Sequence, residues 1–249
     1  MTTPSNPDTT DRVYALQREN IEAFRFDATV ADVFQDMIER SVPGYALVLQ
    51  LVGVLAERYA HPGTRCYDLG CSLGASTLQL RRHVPSDCLV IGIDNSAAMV
   101  ERCQSTMNRD HSSAACEIRL ADIRDSELSN ASIILLNFTL QFIPDGERQA
   151  MLNRIYDALI PGGVLLLAEK VRFDNNERQQ FMTDLHHDFK KHQGYSDLEI
   201  SQKRAALENV LVPNTFAEHE TRLRQAGFAV VESCARCLNF EAIMGVKSP

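Results

Sequence analysis

The sequence of 249 residues predicts an α/β protein built on a doubly wound, mostly parallel sheet. Two observations favour this class. Short apolar runs alternate with segments of helical spacing between residues 65 and 168, and a loop with two glycines joins the first run to a helix. Two closing apolar runs, residues 229–234 and 238–244, are close enough to pair as an antiparallel hairpin. We therefore expect seven strands.

Composition places the chain among ordinary globular proteins, with 45% hydrophobic and 23% charged residues. The formal net charge of -8 gives no overall attraction for nucleic acid, whose binding depends on Lys and Arg, and favours a small-molecule ligand. The seven cysteines are odd in number and lack regular spacing, which predicts free thiols in a reducing, cytoplasmic compartment.

The domain organisation expected from the chain is simple. Residues 1–26 are predicted to form a disordered or loosely ordered tail, because the first ten are mostly Thr, Ser, Pro, Asn and Asp. They contain no apolar run of the kind found in signal or transit peptides. Residues 27–249 are expected to form one domain. Its most apolar stretch, residues 45–56, is too short to cross a membrane and is interpreted as a buried helix.

Two helices are predicted to precede the sheet as an N-terminal cover. The spacing of Val30, Val33 and Met37 marks one face of the first helix. Pro43 and Gly44 then interrupt it, because this dipeptide is typical of a turn. Tyr45 begins the second helix, where its side chain is either part of a pocket cover or an ordinary core aromatic residue.

The sheet and the helices between its strands follow from the apolar periodicity. Strands are predicted at residues 65–69, 88–94, 116–120, 132–137 and 164–168, with helices at 75–84, 97–107 and 145–159. The near-continuous apolar runs at 88–93 and 132–136 are typical of parallel strands that are buried on both faces.

A helical insertion is predicted at about residues 173–212, between the fifth strand and the last helix. Gly194 is expected to end its first helix. Ser196 and Glu199 have the spacing of a capping box at the start of the next helix. Thr215 and Glu218 repeat that spacing before the last helix, which Gly227 is suited to end in a left-handed conformation.

Polar residues follow four of the predicted parallel strands, at the edge where doubly wound sheets bind ligands. Each alone is typical of a turn or a helix cap, and the loop through Gly70 and Gly74 is either an ordinary turn or a ligand loop. Together they favour a nucleoside-type ligand. An acidic residue after the second strand can accept ribose hydroxyls, and one after the third can accept an adenine amino group. The candidates, in chain order, are Gly70, Cys71, Ser72, Asp94, Asn95, Asp122, Ile123 and Asn137.

The combined motifs resemble the carboxy-S-adenosyl-L-methionine synthase family, a branch of the class I S-adenosylmethionine-dependent methyltransferases with their Rossmann-like fold. The similarity runs from about residue 27 to the C-terminus. The loop after the fourth strand lacks the Pro-Pro-aromatic pattern of amino-methylating enzymes. The motifs are Arg40-Ser41-Val42-Pro43-Gly44-Tyr45, Asp68-Leu69-Gly70-Cys71-Ser72-Leu73-Gly74, Ile93-Asp94-Asn95-Ser96, Leu136-Asn137-Phe138-Thr139-Leu140-Gln141-Phe142 and Ser201-Gln202-Lys203-Arg204.

The resemblance implies a specific reaction and a specific site. The enzyme would take S-adenosylmethionine and prephenate, place a carboxyl group on the sulfonium methyl group, and release phenylpyruvate. The product would serve a separate enzyme that forms 5-oxyacetyluridine at the wobble position of transfer RNA. The family is dimeric and uses no metal. It implies S-adenosylmethionine contacts from Tyr45 and the eight candidates above, and makes Arg204 the carboxylate-binding residue, from the same subunit or its neighbour.

Other interpretations of the same residues remain open at the level of sequence. The chain could be a conventional methyltransferase acting on a small acidic metabolite or on RNA, or a non-catalytic partner of an RNA-modifying enzyme. Arg204 could belong to a solvated helix face. His186, His187 and His192 could form a metal site, although their spacing favours exposure to solvent. Cys234 and Cys237 are interpreted as structural residues of a strand, because no second ligand pair accompanies them.

Overall fold

The computed structural model describes residues 9–249, so the first eight residues of the predicted tail lie outside the described part. Residues 10–26 contain no helix or strand, yet Asp11, Tyr14 and Phe24 are buried. Asp11 Oδ2 accepts a hydrogen bond from the hydroxyl group of Tyr195 over 2.5 Å. This part of the tail is therefore an irregular segment packed against the helices.

The sheet contains seven strands in the order β3-β2-β1-β4-β5-β7-β6. Strands β1 to β5 are parallel, whereas β7 pairs antiparallel with both β5 and β6. This arrangement confirms the predicted α/β class, the mixed seven-stranded sheet and the C-terminal hairpin. The strands are β1 Arg65–Leu69, β2 Leu89–Asp94, β3 Ala115–Leu120, β4 Ala131–Asn137, β5 Leu159–Lys170, β6 Val230–Cys237 and β7 Phe240–Val246.

Eight α-helices are found among residues 9–249, and a short 3-10 helix at Leu140–Phe142 follows β4. The first two precede β1, and two more form the predicted insertion between β5 and the last helix. The α-helices are α1 Ala28–Ser41, α2 Tyr45–Tyr59, α3 Ala75–His83, α4 Ala97–Arg109, α5 Asp145–Ala158, α6 Asn176–His192, α7 Asp197–Leu207 and α8 Phe216–Ala226.

The core is divided between the two faces of the sheet by the period-two alternation of strand side chains. In β4, Ile134 and Leu136 pack toward α5 and α8, whereas Ile133 and Leu135 pack toward α2 and α3. All four side chains are fully buried. This explains why β4 is apolar from Ile133 to Leu136 and why helices lie on both faces of the sheet.

The structure confirms the capping boxes that were predicted at the starts of α7 and α8. Ser196 with Glu199 and Thr215 with Glu218 both form complete capping boxes. Gly227 ends α8 in the left-handed conformation, at φ 111°. Side chains and backbone conformation close in the sequence therefore contribute to these boundaries.

Strand β5 differs from its prediction, because it begins at Leu159 and not at residue 164. Leu159 pairs with Ala131, and the register then shifts before Ile133 pairs with Val164. The extra residues, including Pro161 and Gly162, form a bulge between these two pairings. The Pro-Gly-Gly segment that was expected to separate helix from strand is thus accommodated within the strand.

Within the described residues, no single helix is long and apolar enough to span a membrane. Helices α1 and α2 meet that criterion of length and composition only as a pair, and they are bent by 97° relative to each other.

Candidate functional site

The glycine loop connects β1 to α3 in a tight left-handed path. Gly70 and Gly74 have φ angles of 82° and 87°, and Ser72 between them has φ 48°. The backbone N–H groups of Gly70 and Cys71 both donate to Ile93 O, over 2.8 and 3.0 Å. Gly74 precedes α3 without a side-chain cap, and in the first turn of that helix Thr77 donates to the buried carboxylate of Asp68.

Asp94 connects this loop to the end of β2 through hydrogen bonds. Its Oδ2 accepts a hydrogen bond from Ser72 N, and its Oδ1 accepts one from Ser96 N, each over 2.9 Å. Burial raises the pKa of Asp94, and the backbone donors oppose that shift. A carboxylate offers about four acceptor positions, so further donors can still bind here. The neighbouring Asn95 is exposed.

Asp122 and Ile123 follow β3, the strand next to β2. Ala121 N donates to Asp94 O over 3.0 Å, which places both strand ends at the same edge. Arg124 donates to both carboxylate oxygens of Asp122, over 3.0 and 2.7 Å, and lowers its pKa. Ile123 is buried. The acceptor predicted for an adenine amino group is therefore already paired with an arginine that follows it by two residues.

Asn137 ends β4 with one polar atom satisfied and one unsatisfied. Its Nδ2 donates to Ser76 Oγ of α3 over 2.8 Å. Its Oδ1 is buried without a hydrogen-bond partner. A buried acceptor without a partner costs free energy, so this atom marks a position where a donor on a bound molecule is favourable. Asn137 thus joins the glycine-loop helix to the end of β4.

Glu169 was not among the predicted site residues, although it supports the loop that follows Asn137. It is fully buried at the end of β5, and its two oxygens accept hydrogen bonds from Leu140 N and Gln141 N over 2.9 Å. Burial raises its pKa to about 8, opposed by Arg148 and these donors. The signal was present in the sequence, since Glu169 follows an apolar strand just as Asp94 does.

Aromatic rings border the ends of β4 and β5. The ring of Tyr45 lies 6.2 Å from that of Phe138, which lies 6.1 Å from Phe240. Phe240 in turn lies 5.0 Å from the ring of His186 on α6. Burial raises the pKa of Tyr45, so its hydroxyl stays protonated. Tyr45 therefore reaches the same edge as Asn137, through the ring of Phe138.

The prediction that the histidines of α6 are exposed was wrong for His186. This side chain is only 5% exposed, and its Nε2 donates to Ser41 O over 2.8 Å. Burial, followed by the charges of Lys190 and Lys170, lowers its pKa to about 3. The imidazole is therefore neutral and structural. Among residues 9–249 there is no group of three or more His, Cys, Asp or Glu side chains suited to hold a metal ion.

Arg204 lies on α7 and is exposed, without an ion pair among the described residues. Its neighbour Lys203 is buried, so this part of α7 is not a helix face that is fully exposed to solvent. The Nζ of Lys203 donates to Ser41 Oγ over 2.9 Å. Burial lowers the pKa of Lys170 at the end of β5, and the charge of Arg204 lowers it further. The charge of Arg204 thus acts on Lys170, the last residue of the strand that carries Glu169.

Comparison with known proteins identifies the class of this fold. Residues 67–163 match the family model of the methyltransferase domain. An O-methyltransferase family protein from Burkholderia thailandensis has a TM-score of 0.63 at 17% identity, with 90% of this chain and 61% of that chain covered. Human N-acetylserotonin methyltransferase, solved in complex with S-adenosylmethionine, has a TM-score of 0.59 at 17% identity, with 89% and 56% covered. The fold is that of the class I methyltransferases.

The relatives found by sequence identify the family more specifically. The carboxy-S-adenosyl-L-methionine synthase of Marinobacter nauticus is 53% identical over 240 residues, which cover 96% of each chain. The synthase of Trichlorobacter lovleyi is 49% identical over 96% of this chain and 98% of its own. The chain therefore belongs to the carboxy-S-adenosyl-L-methionine synthase family and is a transferase.

Proposed function

We propose that this protein converts S-adenosylmethionine and prephenate into carboxy-S-adenosylmethionine and phenylpyruvate. The observation that carries the proposal is Arg204, an arginine without an ion pair among residues 9–249, beside the end of β5. A methyl group being transferred needs no cation near it. A cation beside a sulfonium is repelled, whereas a carboxylate added to the methyl group reverses the sign of that interaction.

The nucleoside would bind along the edge formed by β1, β2 and β3. Asp94 would accept the ribose hydroxyls, with Gly70, Cys71, Ser72 and Asn95 around it. Asp122 would accept a hydrogen bond from the adenine amino group while its oxygens also accept from Arg124. Ile123 would pack on the adenine ring. The unpartnered Oδ1 of Asn137 supports a donor of the ligand at the end of β4, and the proximity of Tyr45 to Phe138 supports its role as cover.

The proposed reaction balances without a metal or a redox step. Decarboxylation of prephenate aromatises its ring and expels the ring hydroxyl, giving carbon dioxide, hydroxide and phenylpyruvate. The hydroxide takes a proton from the sulfonium methyl group and leaves as water. The resulting ylide carbon forms a C–C bond to carbon dioxide. Holding the fragments together can contribute several kcal/mol, about 7–11 in well-oriented systems.

We also propose a homodimer. Three large apolar side chains lie exposed on the insertion: Phe181 at 62%, Leu185 at 38% and Leu198 at 38%. Exposed apolar side chains on adjacent helices favour a partner surface, and a second copy is the occupant that the family implies. Because Arg204 lies on one of these helices, α7, it could serve the neighbouring subunit's site in such a dimer.

The product would pass to a separate enzyme that modifies the wobble uridine of transfer RNA. The net charge of -8 supports a protein that does not itself bind nucleic acid. All seven cysteines are unpaired, which supports a reducing, cytoplasmic location. No membrane association is part of this proposal.

Replacing Arg204 tests the proposal, because the expected loss is selective. Arg204→Ala should weaken binding of carboxy-S-adenosylmethionine by about 1.5–3 kcal/mol, as for a lost hydrogen bond to a charged group, and leave S-adenosylmethionine affinity unchanged. Isothermal titration calorimetry with both compounds measures this difference. Arg109→Ala is the matched control, since Arg109 is exposed on α4 and its side chain donates only to Ser105 O.

Equal losses for both compounds would contradict the proposal and favour a conventional methyltransferase. The subunit question is decided by mixing Arg204→Ala chains with Asp94→Ala chains. If Arg204 acts across the interface, the mixed dimer contains one site with both residues intact. If it acts within its own subunit, every site in the mixture lacks one of them and no activity returns.

A further inference from the structure

Three lysines and one arginine from three elements form a basic cluster beside the proposed site. Lys170 ends β5, Lys190 lies on α6, and Lys203 and Arg204 are adjacent on α7. The charges of Lys170, Lys203 and Arg204 all act on Lys190. Lys190 is only 8% exposed and Lys203 is also buried, whereas Lys170 is half-buried and Arg204 is exposed, so the cluster is half-enclosed.

Contacts around the cluster show how the elements converge. Lys170 is the register partner of Phe240, whose ring is 5.0 Å from that of His186. Lys190 lies one helical turn after His186, on the same face of α6. Ser41 joins the two insertion helices, because His186 donates to its backbone oxygen and Lys203 to its hydroxyl group. The cluster therefore lies at the carboxyl edge of the sheet, near the proposed S-adenosylmethionine site.

The charges of this cluster are only partly compensated within the chain. Lys203 forms an ion pair with Asp11, with Nζ 3.6 Å from Oδ2. Lys170 and Lys190 have neither an ion pair nor a side-chain hydrogen bond among residues 9–249. Burial, followed by the charges of Lys170, Lys203 and Arg204, lowers the pKa of Lys190 to about 7, and no carboxylate is among the groups that act on it. Burial, followed by the charge of Arg204, also lowers the pKa of Lys170.

Buried cations without partners destabilise a folded protein unless something anionic joins them. Such groups occur at functional sites, where the missing partner is supplied by a ligand. The rings of Phe138 and Phe240 lie alongside and suit an apolar body between two charged ends. These features together fit a small dianion with a ring better than a phosphate or a monocarboxylate.

We propose that Lys170 and Lys190 bind the carboxylate of the second substrate that is not transferred, and so make the enzyme selective for a dicarboxylate. This rests on the proposed function, in which Arg204 holds the carboxyl group that becomes attached to the sulfonium methyl group. The 2-oxo acid end of prephenate would lie against the two lysines. Neither lysine takes part in bond making; both are specificity-determining residues.

The test measures prephenate binding directly, in the absence of turnover. Prephenate is titrated by calorimetry into protein saturated with S-adenosylhomocysteine, which has no methyl group to react. Lys170→Met and Lys190→Met should each weaken prephenate about tenfold or more, as expected for a lost hydrogen bond to a charged group. Affinity for S-adenosylmethionine should stay within about twofold. Phenylpyruvate, a monocarboxylate, should bind the wild-type protein more weakly than prephenate.

Lys191→Met is the matched control. Lys191 is the next residue on α6, half exposed, with its Nζ 2.7 Å from Asp197 Oδ1. The same chemical change there should leave prephenate affinity within about twofold. Thermal unfolding adds a readout that separates function from structure. Because Lys190→Met removes a buried amine that is unfavourable to charge, its midpoint should equal or exceed that of the wild type.

Each outcome decides the inference. Unchanged prephenate affinity in both variants overturns it. A structural role for Lys190 also overturns it: Lys190→Met would then unfold at a lower temperature, and Lys190→Arg would restore the unfolding midpoint but not the prephenate affinity. If wild-type protein binds prephenate but forms no carboxylated product, the proposed reaction fails while the lysine assignment stands on the binding data. If wild-type protein does not bind prephenate, both fail.

Discussion

At the scale of single residues, the most consequential carboxyl group outside the predicted site is Asp68. It is buried beneath the glycine loop and accepts a hydrogen bond from Thr77 Oγ1 of α3 over 2.6 Å. Burial raises its pKa to about 6, opposed mainly by Thr77. The first strand and the helix after the loop are thereby joined through a group that is neutral below about pH 6 and charged above it.

This pKa predicts how stability changes with pH. Between about pH 4 and pH 6 the folded protein holds the Asp68 proton more tightly than the unfolded chain, so the free energy of unfolding falls as pH rises through that window. The total is about 3 kcal/mol, since each pKa unit corresponds to about 1.4 kcal/mol. Asp68→Asn, which can still accept from Thr77, should lose this dependence. Urea unfolding across the window measures it.

The control for this prediction is Asp157→Asn, at an exposed position on α5. The stability difference between Asp68→Asn and wild type should grow in favour of the variant as pH rises, whereas the control should run parallel to wild type. A constant difference for Asp68→Asn would show that its ionisation is not coupled to folding.

At the scale of elements, the turn between β1 and α3 depends on the loop after β4. A Cβ on Gly70 would lie 2.6 Å from Cγ2 of Thr139 and closer still to its Oγ1. The positive φ of 82° at Gly70 adds backbone strain for any other residue. Two loops at the carboxyl edge therefore touch because one of them has no side chain at this point.

Gly70→Ala should consequently destabilise the protein and weaken S-adenosylmethionine binding. Gly63→Ala is a matched control, because Gly63 also has a positive φ, 73°, but a Cβ there would meet no atom within 4 Å. The control should cost about 1 kcal/mol of unfolding free energy from strain alone. Gly70→Ala should cost more, since Thr139 has to move. Equal costs, with unchanged ligand affinity, would contradict a close approach of the two loops.

Elements with strong local signals could be predicted from the sequence. The apolar run of β4, the capping boxes before α7 and α8 and the positive φ of Gly70 each follow from a few neighbouring residues. The bulge at the start of β5 and the burial of His186 could not. Both depend on contacts between distant segments, such as Ala131 with Leu159 and His186 with Ser41, which a pattern along one helix or strand does not contain.

The same distinction applies to the candidate site. Asp94 and Asn137 were predicted as candidates because they follow apolar strands in the sequence. Lys170 and Lys190 were missed as a pair, because a lysine on a polar helix has the pattern of a solvated face whether or not another element covers it. Glu169 could have been selected in the same way as Asp94, since it too is a carboxylate at the end of a buried strand.

At the scale of the whole molecule, a net charge of -8 coexists with unpaired cations at one edge of the sheet. The protein as a whole therefore repels polyanions, while a small anion close to Lys170, Lys190 and Arg204 is attracted over a short range. This distribution favours the capture of a small dicarboxylate and disfavours transfer RNA.

Product identification tests the central claim most directly. Wild-type protein is incubated with S-adenosylmethionine and prephenate carrying carbon-13 in its ring carboxyl group, and the nucleoside products are analysed by mass spectrometry. We expect S-adenosylmethionine to gain one carbon dioxide that retains the label, with an equal amount of phenylpyruvate, whereas labelled bicarbonate with ordinary prephenate should leave the product unlabelled. Formation of S-adenosylhomocysteine and a methylated acceptor, or a carboxyl group without the prephenate label, would contradict the account.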